Sequence, residues 1–235
     1  MRILAIETST EYCSVALWQD GAVSGRCERV GQKHSEILLG MVDGVLREAG
    51  RTVQEMDGIA FGKGPGSFTG VRIACGVAQG LAFGANLKVV GVCTLRALAE
   101  ASGKDKIIAA LDARMGELYL AAYAQRDGAL RTVVEPCLCT AGDAPDVGGE
   151  GWFGAGSGFL ESSASSPSVG ESGALAQRYC KHLSGVDARA VPQAGAVARL
   201  AAVEFARGNA VDAAQALPLY LRDKVALTTR ERAAR

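Results

Sequence analysis

"RILAIET", residues 2–8, returns in altered form as "KIIAALD", residues 106–112, and this echo decides the fold. Each is an apolar run ending at an acid, Glu7 in the first copy and Asp112 in the second. The segments beyond the two runs repeat as well. After the first come the turn "STEYC", the strand "SVALW", the turn "QDG" and the strand "AVSGRCERV"; after the second come "ARMGE", "LYLAAYAQ", "RDG" and "ALRTVVEP". Asp20-Gly21 and Asp127-Gly128 are two-residue hairpin signals, because both central residues of such a turn need positive φ. A duplicated β-meander is therefore expected, and helical patterns after each copy predict two α/β halves facing one another.

Outward from the first copy, "HSEILLGMVDGVLREAG" places its apolar residues on i, i+4, i+8 rows and predicts a helix over 34–49, stopped by Gly50. Thr52-x-x-Glu55 reads as a capping box, "GIAFG" as a strand, residues 68–83 as a helix and "KVVGV" as a strand, together a βαβ unit. Residues 141–175 are rich in Gly, Ser and acid and read as loops around one strand, "GWF". "ESGALAQRYCKHL" and "AGAVARLAAVEFARG" read as helices, and "TTRERAAR" as a frayed tail.

Among 235 residues, 49% are hydrophobic, enough for a substantial core. "MRILAIETST" lacks an apolar stretch behind a basic start, and no 18 uncharged apolar residues run together, so a cytoplasmic protein with no membrane association is expected. Seven cysteines, mostly inside apolar runs, suit reduced core thiols rather than disulfides. Cys137-x-Cys139 is the one close pair, and it lacks the second pair or nearby histidine that a zinc site needs. The 25 basic and 25 acidic residues cancel, leaving no excess positive charge to displace counterions from a nucleic acid.

Between the strand and helix of the βαβ unit lies "GPGSFTGVR", residues 64–72. A glycine loop opening a helix can bind an anion through unpaired amides and the helix dipole. A Walker loop, however, carries a lysine after its last glycine; here Gly70 is followed by Val71, and Lys63 precedes the loop. Nor do Gly64, Gly66 and Gly70 have the G-x-G-x-x-G spacing of a dinucleotide fingerprint. The competing reading is a tight connection through Pro65, with Ser67 or Thr69 capping the helix, Phe68 at its start and Arg72 on its first turns.

"GPGSFTGVRIACGVAQGLA", with "ILAIETST", "HSEILL", "DARMGELYLAAY" and "PLYLRDKV", resembles the TsaB (YeaZ) family. The likeness spans the first 125 residues and a short C-terminal stretch. It implies an actin/Hsp70/sugar-kinase-like (RNase H-like) α/β fold of two duplicated subdomains: residues 1–103, residues 104–209, and a segment 210–235 packing back on the first. It also implies a non-catalytic paralogue that heterodimerises with TsaD, works with the ATPase TsaE, homodimerises when alone and meets tRNA only through the complex. The complex transfers a threonylcarbamoyl group to the adenosine beside the anticodon of tRNAs reading codons that begin with A. No cofactor is expected in the isolated chain, a nucleotide being expected only at the interface of the complex.

The residues bear on the non-catalytic claim. The catalytic paralogue's H-x-x-x-H metal pair, laid on "GVCTLRALA", falls on Thr94 and Leu98, neither of them an imidazole. The two histidines present, His34 and His182, lie far apart in sequence, and His34 reads as a polar helix-end residue. Kinases of this superfold hold magnesium and phosphate on a D-x-G-[ST] turn in each half. Here those turns are Glu7-Thr8-Ser9-Thr10 and Asp112-Ala113-Arg114, both without the glycine. Glu7, Ser9 and Asp112 remain candidates for a degenerate cleft; two facing carboxylates there could take a hydrated Mg²⁺, but with no glycine to admit a phosphate a structural role is favoured and no metal is expected. No G-x-S-x-G elbow or H-E-x-x-H helix supports a peptidase.

Gly76, Gly80 and Gly84 recur at four-residue spacing on one helix face. Each costs the helix up to about 1 kcal/mol relative to alanine, so close packing must compensate. One reading packs the stripe on the helix over 34–49. The other makes these two helices an interface with TsaD or a second copy, through Ile37, Met41, Gly76, Gly80 and Gly84. Outside the scaffold reading stand an ATP-dependent phosphotransferase of the same superfold and a homodimeric binding module unrelated to tRNA.

Overall fold

The computed structural model describes residues 1–160 and 173–222. The first half comprises β1 (Arg2–Glu7), β2 (Tyr12–Gln19), β3 (Ala22–Arg29), α1 (His34–Glu48), β4 (Gly58–Gly64), α2 (Phe68–Ala85) and β5 (Val89–Cys93), followed by α3 (Thr94–Ser102). After it come β6 (Lys106–Arg114), β7 (Glu117–Arg126), β8 (Ala129–Cys139), β9 (Trp152–Ala155), α4 (Ala174–Arg178), β10 (Leu183–Asp187) and α5 (Ala194–Ala206). One sheet runs β3-β2-β1-β4-β5 and the other β8-β7-β6-β9-β10, the same order strand for strand. In both, an antiparallel meander is extended by two parallel strands. The fold is thus the duplicated α/β architecture expected from the sequence repeat.

Local chemistry places these elements. Asp20 (φ +51°) with Gly21 (φ +96°), and Asp127 (φ +53°) with Gly128 (φ +70°), make the two left-handed hairpin tips. Gly50 (φ +63°) ends α1, and Thr52 N donates to Glu55 Oε2 at 2.8 Å in the capping box. In β1, Leu4 and Ile6 face α1 and α2, while Ile3 and Ala5 face α5. That alternation buries both sides of the central strand in a three-layer half.

The halves interlock through the helices placed after their fifth strands. Leu95, Leu98 and Ala99 of α3 pack among Ile107, Leu111 and Tyr123 of the second sheet. Ala194, Ala198 and Ala201 of α5 pack among Ala5, Ala16 and Ala60 of the first. Small residues on both sides allow close approach. By packing, therefore, α5 belongs to the first half, which corrects the expected assignment of 104–209 to the second. Beyond α5 the chain returns along the first sheet: Val211 exchanges backbone hydrogen bonds with Val89 at 2.8 and 2.9 Å, and Leu219 N donates to Lys63 O at 2.6 Å.

Two other expectations need correction. Glu7 closes β1, but β6 continues past Asp112 to Arg114, so the second hairpin turns at Met115-Gly116. The helix expected over 171–183 is only Ala174–Arg178, and β10 begins at Leu183. Tyr179, fully buried, donates its hydroxyl to Pro145 O at 2.5 Å and anchors the chain where the helix stops. The expected tail "TTRERAAR" lies outside the described residues, as do the first two residues of that helix.

Candidate functional site

The loop is folded tightly against the turn that ends β1. Ser67 N donates to Ser9 O at 2.7 Å, and the buried Thr8 Oγ1 donates to Gly70 O at 2.7 Å. A Cβ on Gly70 would stand 1.9 Å from Thr8 O, and one on Gly66 would stand 2.6 Å from Ser9 Cβ. Gly64, at φ +101°, is closed over by Leu219 O, 2.8 Å from where its Cβ would be. Ser67 Oγ accepts from Gly70 N at 3.3 Å and caps α2, while Thr69 is exposed. The glycines thus serve close backbone packing of loop on turn.

Arg72 leaves the first turns of α2 with its guanidinium carbon 3.3 Å from the Phe68 ring centroid and 5.2 Å from that of Tyr220. The rings lie 5.8 Å apart, and both are partly exposed.

Glu7 is sealed. Its Oε1 accepts from Ser9 N at 2.6 Å and its Oε2 from Thr94 Oγ1 at 3.4 Å, with 1% of the residue exposed. A Cβ on Gly62 would fall 1.8 Å from Oε2, so glycine there is what gives the carboxyl its place. Burial pushes the Glu7 pKa above its ordinary value, against the opposing hydrogen bonds from Ser9 and Thr94. Ser9 Oγ is buried without a hydrogen-bond partner among the described residues. Asp112, by contrast, is turned to solvent and engaged locally, accepting from Arg114 N at 2.8 Å and pairing with Arg114 Nη1 at 3.2 Å. The two carboxyls are thus held by separate partners, Glu7 packed shut against Ser9 and Thr94 and Asp112 engaged by Arg114.

Thr94 and Leu98, where the resemblance laid the metal histidines, are both fully buried. Leu98 Cδ2 lies 2.7 Å from where a Cβ on Gly156 would be, so an apolar contact fills that place. His34 is buried at the start of α1, a ring nitrogen 3.2 Å from Tyr12 O. Among the described residues no three His, Cys, Asp or Glu side chains gather as a metal-holding group. Burial pushes the Cys139 thiol up to about 12 and raises that of Cys137, as suits core sulfur.

The glycine stripe points outward. Gly76, Gly80 and Gly84 are exposed, and a Cβ on any of them would meet nothing within 4 Å. Packing of the stripe on α1 is therefore overturned. Met41, expected at the interface, is 4% exposed in the core with Leu38 and Val45, and Ile37 is half-buried against the same cluster. Beyond Phe68 at the head of α2, the large apolar side chains left outside on these helices are Leu39 on α1, 57% exposed, and Phe83 on α2, 84% exposed. Leu39 is the apolar residue of α1 that falls off the core-facing rows, and Phe83 stands three residues after Gly80; both signals were present in the sequence. Over 18 residues α2 has mean hydropathy 1.2, apolar and long enough to span a membrane by length and composition, yet it packs on the sheet with a third of its residues buried.

The two halves and their shared strand order define a duplicated α/β fold of the actin/Hsp70/sugar-kinase-like class. Residues 27–229 match the family described as TsaD: tRNA N6-adenosine threonylcarbamoyltransferase. The tRNA threonylcarbamoyladenosine biosynthesis protein TsaB of Escherichia coli K12 is 38% identical, over 96% of each chain, and that of Haemophilus influenzae 34%, over 96% of this chain and 95% of the relative. The crystal structure of YeaZ from Pseudomonas aeruginosa superposes with a TM-score of 0.81 at 37% identity, covering 94% of this chain and 99% of that one. The chain belongs to the TsaB (YeaZ) family.

Proposed function

We propose that this chain acts in tRNA threonylcarbamoyladenosine synthesis as a scaffold that supplies no reacting group. It heterodimerises with the TsaD paralogue, works with TsaE in the cytoplasm, homodimerises when alone and meets tRNA only through the complex. The observation that carries this reading is the outer face of α2, where Gly76, Gly80 and Gly84 lie open beside the exposed Phe83. Interior glycines weaken a helix, and an exposed stripe is compensated only when another backbone comes close. The closed loop, the sealed Glu7 and the apolar Leu98 agree with it.

Gly80→Leu tests the reading. The side chain has open space in the monomer, so the variant should keep native circular dichroism while losing association with TsaD from the same host by size-exclusion chromatography with light scattering. Unchanged association of a folded Gly80→Leu protein would remove this face as the interface.

A further inference from the structure

Residues 216–222 run from one half of the molecule to the other. On the first half, Ala216 O accepts from Gln79 Nε2 of α2 at 2.9 Å, Leu219 N donates to Lys63 O at 2.6 Å, and the Tyr220 ring lies beside Phe68 and Arg72 at the head of α2. Two residues on, Arg222 reaches the second half. Its guanidinium is ion-paired with Glu117 of β7 and donates to Arg114 O at 3.3 Å and Met115 Sδ at 3.4 Å, with 13% of the side chain exposed. The hairpin it grips is unusual: Arg114, Met115 and Gly116 have φ of +66°, +60° and +78°. Consecutive non-glycine residues in this region persist only where surroundings hold them.

We propose that 216–222 is a latch coupling α2 to the 114–117 hairpin, in which Tyr220 seats the strap on the helix and Arg222 is the positioning residue that keeps the hairpin left-handed. A charge-assisted fork to a carboxylate and a carbonyl fixes orientation as well as distance, which suits a latch. Because α2 also carries the outward glycine face, the latch offers a partner docked there a path to the second half; that consequence alone rests on the function proposed above.

Hydrogen exchange on the full isolated chain tests the latch without any partner. Arg222→Ala should speed exchange across 114–117 about five-fold, as expected for a partly buried ion pair, and leave β1 unchanged. The decisive variant is Tyr220→Ala, which removes a side chain lying beside Phe68 and Arg72 of α2 and should speed exchange across 114–117 in the same way, whereas Tyr220→Phe keeps the ring and the wild-type rate. If Tyr220→Ala leaves 114–117 at the wild-type rate, Arg222 is only a local clamp and the latch is wrong; if Arg222→Ala also changes nothing there, even the clamp falls.

Discussion

Gly70 and Gly80 occupy the same helix and should respond oppositely to the same methyl group. In Gly70→Ala the new Cβ would meet Thr8 O at 1.9 Å, a backbone atom in a fully buried residue, so turn and helix must part by more than about 1 Å. Such overpacking costs about 1–3 kcal/mol, and moving Gly70 O away from Thr8 Oγ1 forfeits about 1 kcal/mol more for the buried hydrogen bond. Alanine's better helix propensity returns up to about 1 kcal/mol, leaving a net loss of about 2 kcal/mol. Gly80→Ala meets nothing within 4 Å and keeps only that favourable part, a gain of about 0.5–1 kcal/mol. Urea denaturation of the isolated chain at one fixed protein concentration measures both, the fixed concentration excluding mass-action shifts from dimerisation. A Gly70→Ala midpoint equal to wild type would refute the claim that these glycines exist to let the loop close on the turn.

Glu7→Gln tests the sealed carboxyl. With the folded pKa raised and the unfolded one ordinary, the stability contribution is complete below the ordinary value and lost as pH rises through the folded value. The glutamine variant, which cannot titrate, should therefore show a flatter stability curve as pH rises above the ordinary carboxylate range and be at least as stable as wild type at neutrality; parallel curves would contradict this. Met41→Ala should behave as a core truncation, destabilising the monomer by about 2–5 kcal/mol in the same denaturation assay, because Met41 packs in the core beneath α1 with Leu38 and Val45.

The repeat was legible because both copies use the same turn chemistry, Asp-Gly with positive φ, and turn chemistry is local. α1, α2 and α5 were legible from apolar periodicity, which survives whatever the helix packs against. The elements that escaped depend on long-range contacts. β10, with only Leu183 and Val186 apolar, is a strand because β9 lies beside it, and α3 is a helix whose nine residues divide their contacts between the halves. Ownership of α5 could not be read either, since a row of alanines fits any flat, small-residue sheet face. At the site, sequence named Glu7, Ser9, Gly66 and Gly70, but only coordinates put Gly62 against the carboxyl and Thr8 against Gly70. Met41, expected at an interface, lies in the core for a related reason: periodicity finds the buried stripe of a helix, and exposed apolar residues such as Phe83 are the ones left over.

The most direct test of the scaffold reading is mass spectrometry of nucleosides from bulk tRNA after depleting this protein in its own host. Threonylcarbamoyladenosine should fall, returning with the wild-type chain and with Asp112→Ala but not with Gly80→Leu. Unchanged threonylcarbamoyladenosine after depletion, or failure of Asp112→Ala to restore it while folded and bound to TsaD, would contradict a scaffold that contributes no reacting group.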